Sequence, residues 1–159
     1  MANWSDCEVI LTGHPFKLAG VIDYLKSNFE NIPLVEKEFI PDSKNCTLTI
    51  YGSGRWQADQ VFFERLVSNF ELSGTFMDSE NGSSFFKLVT YKEGCIVDDI
   101  FTVYYSVEHA NYLNNNQYFL ESLAWIFEDE DWKTEHEDKV KLLLDIGYTI
   151  EELEEYANE

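Results

Sequence analysis

The spacing of apolar residues changes once between Cys7 and Phe29, and that change sets the fold class. Cys7, Val9 and Leu11 alternate with Glu8, Ile10 and Thr12, the period of a strand. Gly13-His14-Pro15 follows, with Pro15 suited to a first helical turn. Leu18, Val21, Ile22, Leu25 and Phe29 then recur at helical spacing and make one apolar face. A helix of that kind has to cover something, and a sheet containing the preceding strand is the nearest apolar surface.

The pattern continues in the same terms. Leu34 to Ile40 and Cys46 to Tyr51 read as a hairpin across the turn-forming Pro41-Asp42-Ser43-Lys44-Asn45. Gly52-Ser53-Gly54 is expected to break the second of these strands. Gln57 to Asn69 predicts a second helix, with Val61, Phe62, Leu66 and Phe70 on one side. Glu71 to Asp78 and Ser84 to Tyr91 predict strands joined through Asn81-Gly82. Lys92-Glu93-Gly94 turns into a long strand, Cys95 to Val107, rich in strand formers.

After Val107 the character changes. Tyr118 to Phe127 reads as a very apolar helix. Thr134 with Glu137 predicts a capping box for a helix ending at Gly147. Thr149 with Glu152 predicts a second one, opening a helix over Ile150 to Tyr156. The expected architecture is α+β: a ferredoxin-like β-α-β-β-α-β sheet with two added strands and a C-terminal helical extension. A single domain over 1–159 is expected, with a core over 1–107 and an acidic extension over 108–159. Val9, Leu11, Ile22, Leu25, Ile50, Phe62 and Leu66 are the expected core.

The opening Met1-Ala2-Asn3-Trp4, the strand ending at Gly13, the Trp56 segment and the turn Tyr91-Lys92-Glu93-Gly94 are similar to the YubB-type ferredoxin-like family of phage and plasmid proteins. The resemblance spans roughly residues 1–107. Two positions depart from it: Ser5 stands where such proteins tend to carry Cys, and Lys92-Glu93-Gly94 where Glu-Pro-Gly is more usual. The resemblance implies the fold and a mobile-element origin. It brings no catalytic residue with it.

No constellation of residues names a reaction. Gly52-Ser53-Gly54-Arg55-Trp56 lacks the Lys-Ser/Thr of a phosphate loop and the third glycine of a dinucleotide fingerprint, so a plain strand-to-helix turn is expected. Asp98 and Asp99 are adjacent on a predicted strand and so point to opposite faces, which excludes a shared-proton pair. His14, His109 and His136 stand beside no nucleophile motif. Cys7, Cys46 and Cys95 are odd in number and widely spaced, which excludes a disulfide framework and a cysteine zinc site. The Asp-x-Asp-x-Asp-Gly order of a calcium loop is missing. No catalytic residue, metal site or cofactor is therefore expected.

Charge is the strongest functional signal. The chain holds 11 basic and 30 acidic residues, a net charge of −19. Such a charge repels phosphates, so neither direct nucleic-acid binding nor an anionic membrane surface suits it. Its imbalance is uneven: residues 1–107 hold 8 basic and 15 acidic residues (−7), and 108–159 hold 3 and 15 (−12). The acids cluster as Glu128, Asp129, Glu130, Asp131, then Glu135, Glu137, Asp138, then Glu151, Glu152, Glu154, Glu155. Trp125, Trp132, Leu142, Leu144 and Tyr156 are interleaved with them, which predicts folded and therefore fixed carboxylates.

Fixed rows of carboxylates can imitate a phosphate backbone, which carries one charge per roughly 1.7 Å of B-DNA. The expected partner is a basic nucleic-acid-binding protein or complex, met in the cytoplasm of a bacterial host cell. The alternative is a non-catalytic scaffold, dimerising through the apolar Tyr118–Phe127 helix. A solvated face and helix capping are the competing explanation of the charge, since Glu135, Glu137, Glu151 and Glu152 fall in predicted first turns.

Overall fold

The computed structural model describes residues 4–28, 34–38, 46–55, 60–82 and 84–158. The chain divides into two compact units, Met1–Thr102 and Val103–Glu159, each with its own apolar cluster.

The first unit is a mixed α+β structure. Its elements run β1 (Trp4–Gly13), α1 (Pro15–Asn28), β2 (Leu34–Glu38), β3 (Cys46–Arg55), α2 (Gln60–Phe70), β4 (Ser73–Glu80), β5 (Phe85–Lys92) and β6 (Cys95–Val103). The sheet order is β2-β3-β1-β4-β5-β6. β1 pairs antiparallel with β3 on one side and β4 on the other, with Val9 opposite Ile50 and Phe76. β2 pairs antiparallel with β3, and β5 with β4.

One face of this sheet builds the core. Along β1, Ser5, Cys7, Val9 and Leu11 are buried while the residues between them are not. Leu18, Val21, Ile22 and Leu25 of α1 and Leu66 and Val67 of α2 join Val9, Leu11, Leu48, Ile50, Phe76 and Val89 in one cluster. The two helices thus pack on the same face. Six of the seven expected core residues are buried. Phe62 is half-buried against the cluster, its ring edge-on to Phe63 at 5.2 Å. Val61, expected on the apolar side of α2, is exposed.

The buried face ends in polar groups. Asp78 lies opposite Cys7 in the β1–β4 register, and both are buried. Burial pushes the Cys7 thiol up to about 12, and the nearby Asp78 and Glu8 carboxylates push the same way. The Tyr91 hydroxyl is buried without a hydrogen-bond partner among the described residues, and burial also raises its pKa, helped by Glu64 and Asp99.

Several boundaries differ from the sequence pattern. Gly52-Ser53-Gly54 does not break β3, nor is it a strand-to-helix turn: these residues pair with Cys7, Asp6 and Ser5. Ladder hydrogen bonds use only the backbone, and β1 extends to Trp4 and supplies the partner. The expected Pro41–Asn45 turn, Trp56 and the start of the second helix at Gln57 lie outside the described residues, as do Phe29 and Ile40. The last strand stops at Val103, because Ser106 starts a helix. Much of β6 is exposed, Phe101 at 66%.

Two tight places in the sheet depend on positive φ. Glu93 (φ 49°) and Gly94 (φ 83°) join β5 to β6 as a two-residue hairpin turn. Glu93 is not a natural occupant of that region, and its N–H donates to Ser73 Oγ at 3.0 Å. Gly74 (φ 147°) lies between β1 and β5, opposite Leu11 and Tyr91. A Cβ on it would stand 1.9 Å from the Ile10 carbonyl oxygen.

The second unit is helical. α3 (Val107–Leu113) is capped by Ser106, whose hydroxyl accepts from His109 N at 3.2 Å. Sequence patterning missed this helix. Asn114 ends it in the left-handed region (φ 49°), and Asn115 caps α4 (Asn116–Ser122), its side chain accepting from Tyr118 N at 3.0 Å. The asparagine run is therefore a stop followed by a start. The expected Tyr118–Phe127 helix is two pieces: α4, then a 3-10 helix over Ala124–Glu128. Leu123 bonds back three residues, to Leu120 O at 2.9 Å, and tightens the chain there.

α5 (Trp132–Glu135), α6 (Glu137–Asp145) and α7 (Ile150–Ala157) follow. Thr134 does not cap α6. It lies inside α5 with its hydroxyl donating to Asp131 O at 3.0 Å, and the α6 cap, His136, makes no side-chain capping bond. The Thr149–Glu152 capping box is present as expected. Gly147 (φ 112°) closes α6: its N–H donates to Leu144 O and that of Tyr148 to Leu143 O, a Schellman motif. Phe119, Leu120, Leu123, Ile126, Trp132, Leu143 and Leu153 form the core. His109 is buried beside Phe119, its Nδ1–H donating to Tyr104 O. Burial holds its pKa below the usual imidazole value, against a smaller opposing effect of that hydrogen bond.

Three measurements check the placement of Gly74 and of the cysteines. Gly74→Ala should destabilise the protein by more than about 3 kcal/mol, since strain and overpacking act together; chemical denaturation giving a loss under about 1 kcal/mol would refute the placement. Cys7 and Cys46 are buried and Cys95 is exposed. A thiol reagent at pH 8 should therefore label Cys95 rapidly in the native state and all three sites only after denaturation, read by mass spectrometry. The raised Cys7 pKa adds that stability should fall as pH rises from 9 towards 12, because the unfolded thiol ionises first.

Candidate partner-binding surface

All eleven acidic residues singled out from the sequence are exposed. Glu128 ends the 3-10 helix, and Asp129, Glu130 and Asp131 lead into α5, which Glu135 ends. Glu137 and Asp138 occupy the first turn of α6, and Glu151 and Glu152 that of α7; Glu154 and Glu155 follow within α7.

The fold gathers some of them and separates others. Asp129, Glu130, Asp131 and Glu154 line one groove of about 610 Å³ with Phe127, Trp132 and Lys133. Glu137, Asp138, Glu151, Glu152 and Glu155 do not line it. The groove forms because Trp132 turns into the core at the start of α5 and meets Phe127 edge-on, ring centroids 4.9 Å apart. Phe127 in turn packs against Tyr156 of α7 at 5.3 Å. That aromatic contact brings the Asp129–Asp131 segment alongside Glu154.

Some carboxylates have local work. Glu152 accepts from Thr149 N at 2.8 Å in the capping box. Asp138 pairs with Lys139 at 2.6 Å, and that hydrogen bond holds its carboxyl below the usual carboxylate range. Lys141 pairs with Asp145 at 2.7 Å. Lys133 pairs with Glu154 and lies 5.3 Å from the centre of the Trp132 ring. The three lysines of this unit are thus taken up by Asp138, Asp145 and Glu154. Glu128, Glu130, Asp131, Glu135, Glu151 and Glu155 have no lysine within ion-pair distance among the described residues.

The structure also accounts for other groups weighed as chemistry. Asp98 and Asp99 are both exposed; Asp99 N–H donates to Asp98 Oδ1 at 3.1 Å, and Asp99 lies 3.9 Å from Lys87. His14 Nδ1 accepts from Phe16 N at 3.3 Å. His136 Nε2 lies 2.7 Å from Asp129 Oδ2, and its ring meets Trp125 edge-on at 5.1 Å. Sequence reasoning treated His136 only as a member of a dispersed set. The spacing of Asp129, Glu135 and His136 matches no metal motif, and only the short turn of α5 brings them together. Among the described residues no helix is long and apolar enough to cross a membrane.

No protein-family model, no curated protein and no solved structure matches this chain.

Loss of the Thr149 cap should loosen α7, which carries Glu151, Glu152, Glu154 and Glu155. Thr149→Ala should cost about 0.5–2 kcal/mol, measured by thermal denaturation, while Thr149→Ser should stay close to the parent. Equal losses in both variants would show that the hydroxyl does not cap this helix.

Proposed function

We propose that this chain is an acidic interaction protein that occupies the nucleic-acid channel of a basic bacterial defence complex, of CRISPR-effector or restriction type, by mimicry and without catalysis. The observation that carries this reading is the groove of Asp129, Glu130, Asp131 and Glu154 over Phe127 and Trp132. It sits in a unit whose lysines are already engaged, so the remaining carboxylates present uncompensated charge on a folded backbone. A basic channel would be attracted to the whole surface, quickly and in a salt-dependent way. The half-buried Phe127 would then anchor the contact.

The first unit fits a ferredoxin-like scaffold in this reading. Its strands β4-β1-β3-β2 lie in the order such a β-α-β-β-α-β fold requires, with β5 and β6 added beyond β4. Membership of the YubB-type family and a mobile-element origin rest on the short motifs at Met1–Trp4 and Tyr91–Gly94, the strand ending at Gly13 and the Trp56 segment. The alternative, a scaffold dimerising through the Tyr118–Phe127 segment, has less support. Phe119, Leu120, Leu123 and Ile126 are inside the unit's own core, which leaves Tyr118 and Trp125 for such a contact.

The experiment is capture of partners from bacterial lysate on the immobilised chain, identified by mass spectrometry, with and without competing duplex DNA. Nucleic-acid-binding proteins should be captured, and both added salt and DNA should release them. Reversing Glu128, Asp129, Glu130 and Asp131 to Lys moves the net charge from −19 to −11. It should abolish capture with the circular dichroism unchanged. A folded reversal variant that captures the same proteins would sink the mimic reading.

A further inference from the structure

We propose that Asp129, Glu135 and His136 form a binding site for a late first-row divalent cation of the zinc class. One ligand atom from each residue lies within 4.8 Å of those of the other two. The donor set is what separates this place from the surrounding acidic surface. It combines an imidazole nitrogen with two carboxylate oxygens, whereas Glu128, Glu130 and Asp131 offer oxygen alone. Magnesium and calcium favour all-oxygen sites; an imidazole in the set favours zinc, nickel, cobalt or copper.

The fold prepares the site in two ways. α5 is a single turn, Trp132–Glu135, so the segment entering it and the residues leaving it are near neighbours. Trp132, buried in the core, anchors that turn. The His136 ring is then held from two sides, by the edge-on Trp125 at 5.1 Å and by Asp129 Oδ2 at 2.7 Å. His136 is half-buried, and both carboxylates are exposed and able to rotate. Zinc ligands at about 2.0–2.2 Å in a tetrahedral shell stand about 3.4 Å apart, so Asp129 Oδ2 and His136 Nε2, now 2.7 Å apart, open slightly to admit the ion, and the Glu135 carboxylate, within 4.8 Å of both, swings in to close the set. In the tautomer with its proton on Nδ1, His136 turns the Nε2 lone pair towards the ion in place of the present hydrogen bond. Three protein ligands leave a fourth position to water. The adjoining Glu128, Glu130 and Asp131 raise the local concentration of cations without ligating. The site does not depend on the partner reading, since a chain that captures no basic protein can still bind the ion.

The test is calorimetric titration of the full chain with Zn²⁺ in excess Mg²⁺ and moderate salt, which saturates weak carboxylate sites. One Zn²⁺ per chain should bind, and the His136 imidazole resonances should shift in NMR spectra as it does. Loss of an outer partner of a metal site typically costs about 10–100-fold in affinity. His136→Gln and Glu135→Gln should each weaken binding by at least about tenfold on that scale. Glu130→Gln removes the same charge next to the triad without removing a ligand and should weaken binding far less than either ligand variant. Circular dichroism checks that each variant is folded, and the exposed Glu135 serves if His136→Gln is not. The proposal is overturned if no saturable Zn²⁺ site survives Mg²⁺, if the His136 signals do not move, or if Glu130→Gln weakens binding as much as the ligand variants.

Discussion

The first unit depends on β1 having partners on both sides. Val9 is opposite Ile50 in β3 and Phe76 in β4, so the two halves of the unit meet along this one strand. The hydrogen-bond ladders leave β1 no open edge, and the alternation of its side chains directs Cys7, Val9 and Leu11 under the helices. The same constraint explains Gly74, where the backbones of β1 and β4 approach too closely for a side chain. It also explains why the Gly52–Gly54 stretch stays in the sheet: β1 offers pairing as far as Trp4, and a glycine can use it as well as any residue.

The second unit solves a different problem, which is how to stay folded while heavily charged. Its 3 basic residues face 15 acidic ones. Like charges in water at ordinary salt are screened beyond about 8–10 Å, so the repulsion is mostly local. The unit lowers it further with first-turn acids on α6 and α7, the Thr149–Glu152 box and the lysine pairs. Apolar burial of Phe119, Leu123, Ile126, Leu143 and Leu153 supplies the cohesion. Trp132 links the two roles: it belongs to the core, and by entering it, it brings the acidic segment before it to the mouth of a groove. The charge has therefore both a local structural role and, at that groove, an arrangement that could serve binding.

Much of the architecture was legible in the residues alone. The period of two at Cys7–Thr12, the period of 3.6 at Leu18–Leu25, the Asn-Gly turn and the Thr149–Glu152 box are local signals with local causes, and each stands in the structure. The misses share a cause. Ser106 and Asn115 are good caps, but the α3 and α4 helices they open are only seven residues each, too short for apolar periodicity to stand out. Thr134 fits a capping box in sequence, yet α5 had already enclosed it. The mostly apolar stretch from Tyr118 to Phe127 gave no sign that the chain tightens at Leu123.

The candidate sites divide in the same way. That residues 128–138 are rich in acids around a tryptophan was a property of the sequence, because charge is additive along a chain. Which carboxylates share a groove was not. Asp131 and Glu154 are far apart in sequence, and only the packing of Phe127 on Trp132 and Tyr156 brings them to one place. The sequence alone determined the order of strands and helices in the first unit, the Thr149–Glu152 start of α7 and the sign of the surface, all of which follow from local periodicity and composition. The tertiary structure decided which side chains meet, because convergence of Asp129, Glu135 and His136, or of Asp131 and Glu154, depends on where a buried tryptophan turns the backbone.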